Sequence, residues 1–103
     1  MMRVRIDGGA LNVEQLRTVG ELSVEFARHG VRANAILPGW IETDMTAKAI
    51  GNDKFASNVL PRIPVRRWGT GDDFGGIAVY LMSSASSYHT GDTFLIDGGY
   101  AIF

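Results

Sequence analysis

The sequence predicts an α/β fold built on a parallel sheet, and one that is incomplete on these residues alone. Three observations lead there. An almost unbroken apolar run, Val31 to Leu37, reads as a strand buried on both faces, the habit of a parallel sheet. A capped amphipathic helix precedes it; a long loop, a second helix and a second apolar strand follow it. Two parallel strands cannot shield both their faces and both their edges, so structure beyond these elements is expected to cover them.

Taken in order, residues 1–11 are ambiguous. Val4 and Ile6 alternate with Arg3 and Arg5, as in a half-exposed strand, and Asp7-Gly8-Gly9 reads as a turn. The first helix is expected at roughly 13–29. Asn12 is a good N-cap with Gln15 three residues on, a capping-box pattern. Leu16, Val19, Gly20, Ser23, Phe26 and Ala27 share one face. The small residues Gly20, Ser23 and Ala27 on it allow another helix to approach closely. Arg28 and His29 suit the negative end of the helix dipole, and Gly30 suits a left-handed C-cap.

After the first strand, Pro38-Gly39 stops the chain sharply. Residues 40–69 read as a long connection in which Thr43 to Ile50 could form a short helix, while Pro61 and Pro64 prevent a long one. Such a loop inside a compact domain is usually functional or mobile. Thr70 can cap a second helix at roughly 71–83, with Asp72 and Asp73 in its first turn and Phe74, Ile77, Ala78, Leu81 and Met82 as its apolar face. Ser83 to Gly91 is a loop, Thr93 to Ile96 the second strand, and Asp97-Gly98-Gly99 a turn.

Composition excludes several function classes. With 46% hydrophobic and 20% charged residues in 103, the chain is an ordinary globular domain. A net charge of −1, with only Arg62, Arg66 and Arg67 clustered, gives no nucleic-acid footprint. No cysteine is present, so disulfides and thiolate chemistry are out, and His29 and His89 lack ligand-like spacing, so no metal site is expected. No apolar run is long enough to span a bilayer, the N-terminus lacks a secretory h-region, and the default location is the cytoplasm.

Four stretches together point to one family. They are Val31 through Thr43, with its Pro38-Gly39-Trp40-Ile41-Glu42-Thr43; Arg67-Trp68-Gly69 leading into Asp72-Asp73-Phe74; Thr90-Gly91-Asp92 through Gly99; and Glu25-Phe26-Ala27 ahead of Gly30. In this order and spacing the chain resembles the C-terminal part of a short-chain dehydrogenase/reductase over residues 13–103, with residues 1–12 matching no family segment. The resemblance implies part of a Rossmann-type doubly wound sheet that binds dinucleotide at the C-terminal ends of its strands. It implies NAD or NADP as cofactor, a small-molecule alcohol or carbonyl substrate, and contacts with like subunits or full-length relatives. It places cofactor contacts at Pro38 and Gly39, at the Ile41 backbone against the nicotinamide carboxamide, and at the Thr43 hydroxyl. The loop from Trp40 through Met45, Ile50 and Phe55 would close over substrate.

The resemblance also marks what these residues lack. Asp7-Gly8-Gly9-Ala10 is not the family's glycine-rich phosphate turn. Counting back from Glu25, Asn12 stands where the family's catalytic lysine is expected and Gly8 where its tyrosine is expected. No tyrosine precedes Tyr80 and no lysine precedes Lys48. The catalytic serine would fall outside the chain, so no catalytic residue is assigned. The expected function is therefore an oxidoreductase of this family in shortened form, inactive alone; the alternative is a non-catalytic module that joins full-length subunits. Tyr80 and Tyr88 are expected to be packing residues and His89 a loop residue. The tail Gly98 to Phe103 is expected to pack at a subunit contact.

Overall fold

The computed structural model describes residues 2–6 and 13–102, with side chains from residue 14 onward. The Asp7-Gly8-Gly9 turn, the Asn12 cap and Phe103 lie outside the described residues.

One sheet of three parallel strands runs β1-β2-β3, with β1 at Met2–Ile6, β2 at Arg32–Pro38 and β3 at Thr93–Ile96. The expected order of elements thus gains a strand at its front. Five residues carry too little pattern to decide a strand locally; β1 is made by pairing, from Met2 opposite Arg32 to Ile6 opposite Ile36. β2 is central, and β3 pairs its other edge from Ala35 opposite Thr93 to Pro38 opposite Ile96.

Helix α1 covers Val13–Phe26 and tightens into a 3-10 turn at Ala27–His29. Gly30 closes it at φ 75°, the left-handed cap expected of that glycine. Val19 and Leu22 pack on Ala33, Ala35 and Leu37, so α1 covers one face of β2. On the alternate positions, Asn34 and Ile36 are buried against the other face. The two-sided burial expected from the apolar run is present. The expected helix face is narrower than the sequence indicated: Val19 and Ser23 are buried, while Leu16, Phe26 and Ala27 are exposed. Ser23 is covered from within the chain, since a Cβ on Gly91 would lie 2.8 Å from its Oγ. Gly20 stays open, with nothing within 4 Å of where its Cβ would stand.

The long connection contains two helices where one was expected: α2 at Ala47–Ile50 and α3 at Asp53–Val59. Asn52 caps α3 by accepting from the Phe55 amide at 3.0 Å. α3 turns a short apolar face inward, with Phe55, Ala56 and Val59 half-buried, and Phe55 lies between Trp40 (edge-on, 5.2 Å) and Trp68 (stacked, 6.1 Å). Helix α4, Gly75–Met82, follows a 3-10 turn at Gly71–Phe74. Thr70 and Asp73 form a reciprocal capping box there. Leu81 is fully buried, but Met82 is exposed, a correction to the expected apolar face. α4 is short, and Met82 is its last residue.

Among the described residues, Arg66 is the one non-glycine residue at positive φ, 64°. Its turn is fixed by Arg66 N donating to Ile63 O at 2.8 Å and Val65 N to Gly98 O at 3.1 Å. A left-handed conformation costs an L-residue about 1–2 kcal/mol, and glycine gives back about 0.4–1 kcal/mol through the unfolded chain. Arg66→Gly is therefore expected to raise stability by about 0.5–1 kcal/mol, read as a higher urea midpoint at unchanged slope. An unchanged or lower midpoint would show that the turn is not strained.

Candidate functional site

Strand ends and turns meet at the C-terminal edge of the sheet. β2 leaves it at Pro38, and Gly39 N still donates to Ile96 O at 3.0 Å. β3 leaves it at Asp97, whose carboxylate accepts from Gly99 N and Ala101 N, both at 2.9 Å, and so folds the closing turn. Gly98 and Gly99 take positive φ in that turn, where glycine is favoured. They lie against the Ile63–Val65 turn; a Cβ on Gly99 would stand 2.8 Å from Pro64 Cγ.

Gly39 is here for packing as well as for any ligand. A Cβ on it would stand 2.6 Å from Asp97 Cβ and 2.7 Å from Asp97 Cα. The resemblance assigned this glycine to close approach of a ligand; the structure shows it admitting the neighbouring strand end.

Beyond Gly39 the chain forms an isolated parallel bridge, Ile41 with Gly69. Glu42 N donates to Gly69 O at 2.8 Å and Gly69 N to Trp40 O at 2.9 Å. These bonds use the residues on either side of Ile41, so its own amide and carbonyl face away from Gly69. The carbonyl accepts from Thr46 Oγ1 at 2.6 Å, and the amide has no partner among the described residues. Thr43 is exposed and turned back on Thr46: its amide donates to Thr46 Oγ1 at 2.9 Å, and the two hydroxyls lie 3.3 Å apart. Pro38, Gly39 and Ile41 are thus brought together at the sheet edge, and Thr43 stands outside them. Thr46 was missed from sequence; the spacing of two hydroxyl residues, Thr43 and Thr46, is the signal of such a turn.

A cavity of about 220 Å³ opens beside Ile41, bounded by Trp40, Ile63, Arg67, Asp73, Phe74 and Ile96. Its polar wall is a two-pronged ion pair, Arg67 Nη1 and Nη2 on Asp73 Oδ2 and Oδ1, each at 2.8 Å. The Arg67 hydrogen bond, then the Thr70 amide, hold the Asp73 carboxyl well below the usual carboxylate range. What this adds to stability is present above the ordinary aspartate pKa and is lost as pH falls toward the lowered one. Asp72-Asp73 is thus a helix-start pair, as expected, with Asp73 also anchoring Arg67. Met45 is fully exposed, and Ile50 and Phe55 are half-buried along the connection; none of the three lines the cavity. Arg62 lies over the Tyr100 ring at 5.4 Å, and Tyr100 meets Trp40 edge-on, which ties the tail to the same edge. Tyr88, expected to pack, is fully exposed at the tip of its loop.

A family model described as enoyl-(acyl carrier protein) reductase matches residues 14–101. The chain belongs to the short-chain dehydrogenase/reductase family. It is 48% identical over 79 residues to the 2-dehydro-3-deoxy-D-gluconate 5-dehydrogenase of Pseudoalteromonas atlantica, covering 77% of this chain and 31% of that protein. Among solved structures, a candidate 2-deoxy-D-gluconate 3-dehydrogenase from Agrobacterium tumefaciens, with bound NADP, superposes at TM-score 0.87 and 31% identity. That match covers 99% of this chain and 47% of the other. A short-chain type dehydrogenase/reductase from Mycobacterium ulcerans matches at TM-score 0.87 and 27% identity, over 98% of this chain and 42% of the other. The chain thus spans about a third of the length of its curated relative and is an incomplete Rossmann-type unit of this family, whose cofactor is a nicotinamide dinucleotide. Among the described residues, no helix is long and apolar enough to cross a membrane.

Proposed function

We propose that this chain forms the nicotinamide-side edge of an NAD(P)-dependent oxidoreductase that interconverts alcohol and carbonyl on a small sugar acid, and that it turns over no substrate alone. The observation that carries the reading is the Ile41 amide, unpartnered among the described residues, at the C-terminal sheet edge beside the cavity. That position, at the strand ends of a doubly wound sheet, is where such folds take dinucleotides. The bound cofactor supplies hydride transfer. The chain's part is to hold and shield. The Ile41 N–H and the Thr43 hydroxyl, the latter now on Thr46, would hold the nicotinamide end. Trp40 and Phe55 keep water from the reacting face. The names of the relatives, gluconate-type dehydrogenases, support a sugar acid as substrate.

The proton-transfer machinery is not on these residues. Gly8 and Asn12 stand at the positions counted for tyrosine and lysine, and α1 carries neither residue type. General acid–base help is typically worth ~10²–10⁴-fold, so the chain alone is expected to give no measurable NAD(P)H signal with gluconate or 2-dehydro-3-deoxy-D-gluconate. Mixing it with a fragment of the Pseudoalteromonas relative that carries the glycine-rich turn and the tyrosine–lysine pair should restore turnover. Ile41→Pro, which removes the amide N–H, should lower that restored rate. Turnover by the pure chain would overturn the reading, and so would a restored rate that Ile41→Pro leaves unchanged.

A second reading, docking on full-length family subunits without catalysis, is favoured by apolar exposure on the α1 side. Leu95, which shares the face of Leu37, is 52% exposed, with Leu16 and Phe26 exposed nearby along α1. Co-elution with a full-length relative, with no gain in activity, would select it.

A further inference from the structure

Helix α4 and the loop after it hold three side chains in a line at the end of the sheet opposite the candidate site: Tyr80 on the helix, His89 and Asp92 on the loop. Tyr80 Oη lies 2.7 Å from His89 Nδ1, and His89 Nε2 lies 2.7 Å from Asp92 Oδ2. Every part of the line is fixed. The His89 ring is wedged between Tyr80 (edge-on, 5.6 Å) and Phe94 (tilted, 4.8 Å). Its carbonyl accepts from Asn34 Nδ2 at 3.1 Å. Asp92 is pinned by its amide on Asn34 Oδ1 (3.0 Å) and by Thr93 N donating to its Oδ1 (2.7 Å). The His89 bond, then the Thr93 amide, hold the Asp92 carboxyl below its usual range, so it is an ionised acceptor. That assigns the hydrogen to His89 Nε2 and leaves Nδ1 as a lone-pair acceptor facing the Tyr80 hydroxyl. The imidazole side chain is 29% exposed, Asp92 53% and Tyr80 half-buried, so the line stands at the surface.

A nucleophile within hydrogen-bond reach of a base, with the base oriented by a third group, is the general arrangement of an activated hydroxyl. The geometry points to Tyr80 as a nucleophilic modification site, with His89 as its base and Asp92 as the group that orients the base, taking an activated acyl ester. In the step, Tyr80 Oη bonds to the acyl carbon and the bond from that carbon to the leaving oxygen breaks. The phenol proton passes to His89 Nδ1, and the imidazolium is balanced by Asp92. The leaving group departs as its anion, and His89 returns the proton to solvent. The amides of His89, Gly91, Asp92 and Thr93 are already bonded and hold no developing oxyanion, so the product is a stable aryl ester and the event a single turnover.

The chain supplies its own reference, because Tyr88 is fully exposed and has no hydrogen-bond partner among the described residues. The full chain is treated with p-nitrophenyl acetate near neutral pH, nitrophenolate release is followed, and the acetylated tyrosines are mapped by peptide mass. Tyr80 is expected to label at least ~10-fold faster than Tyr88, a modest share of what a positioned base supplies. Tyr80→Phe should remove the fast phase. His89→Gln should slow Tyr80 labelling about tenfold without changing that of Tyr88, and Asp92→Asn should slow it less. Equal labelling of Tyr80 and Tyr88, or a Tyr80 rate unaffected by His89→Gln, would overturn the assignment. A variant that had lost its fold would show Tyr80 and Tyr88 reacting alike, so the Tyr80-to-Tyr88 ratio in the parent chain decides the matter first.

Discussion

A Gly39→Ala chain is expected to melt about 4–24 °C below the parent. The added methyl would stand 2.6 Å from Asp97 Cβ and 2.7 Å from its Cα, distances that real contacts do not reach. One of those atoms is backbone, and Asp97 cannot swing aside, since its carboxylate is held by the amides of Gly99 and Ala101. Either the ends of β2 and β3 separate, losing the Gly39-to-Ile96 bond, or the closing turn lifts off Ile63 and Pro64. Overpacking of this kind costs about 1–3 kcal/mol, and each kcal/mol moves the midpoint of a domain this size by about 4–8 °C. The control is the same chemical change at Gly76 in α4, where a Cβ meets nothing within 4 Å. There alanine should add about 0.5–1 kcal/mol, because glycine is a poor helix residue. A scanning-calorimetry comparison in which both variants shift alike would show that the Asp97 contact is not the cause.

Replacing Asn34 by Leu should cost about 2–3 kcal/mol although the volume hardly changes. Asn34 is 2% exposed and bridges two backbone groups of the final loop, accepting from Asp92 N and donating to His89 O. Leucine would leave a donor and an acceptor without partners beside a buried strand, at about 1–3 kcal/mol for each group that stays out of reach of water. Because the loop is half-exposed, part of that cost is recovered by hydration, hence the lower figure. Urea unfolding measures the loss, and amide exchange should show faster opening across residues 86–93 than across α1. A cost below ~0.5 kcal/mol would mean that the loop is held by Arg32 on Ser86 and Thr90 on Ala33 instead.

Local chemistry made much of this legible. Gly30 as a left-handed cap, Thr70 as a helix cap and the apolar run of β2 are decided within a few residues, and all three stand as read; the structure adds that Asp73 completes a capping box with Thr70. The position of Pro38, Gly39 and Ile41 at the sheet edge follows from their place just past that run. What was not legible depends on partners far along the chain. β1 exists through its pairing with β2, and α3 is anchored by a phenylalanine between two tryptophans distant in sequence. Ser23 looked like part of a surface for another helix because nothing near it in sequence reveals Gly91. His89 read as an ordinary loop residue because its partners, Tyr80 and Asp92, have their meaning only once the loop folds back. The family-defining residues that these positions lack, by contrast, were visible by counting.

The placement of β3 has a consequence for the order in which the chain assembles. α1 and β2 are near neighbours in sequence and form the inner cluster of Val19, Ala33 and Ala35. β3 reaches β2 only after the whole stretch from Gly39 to Asp92 has been looped out, an entropic cost that falls before any pairing rewards it. Docking of β3 should therefore be a late event in folding and its release an early one in unfolding. Since Ile96, Asp97 and Gly98 wall the cavity at the sheet edge, that release would dismantle the cavity while α1 and β2 stayed together. The candidate site would come and go with the last strand to arrive, and a partner that clamped β3 in place would set how much of the time the site exists.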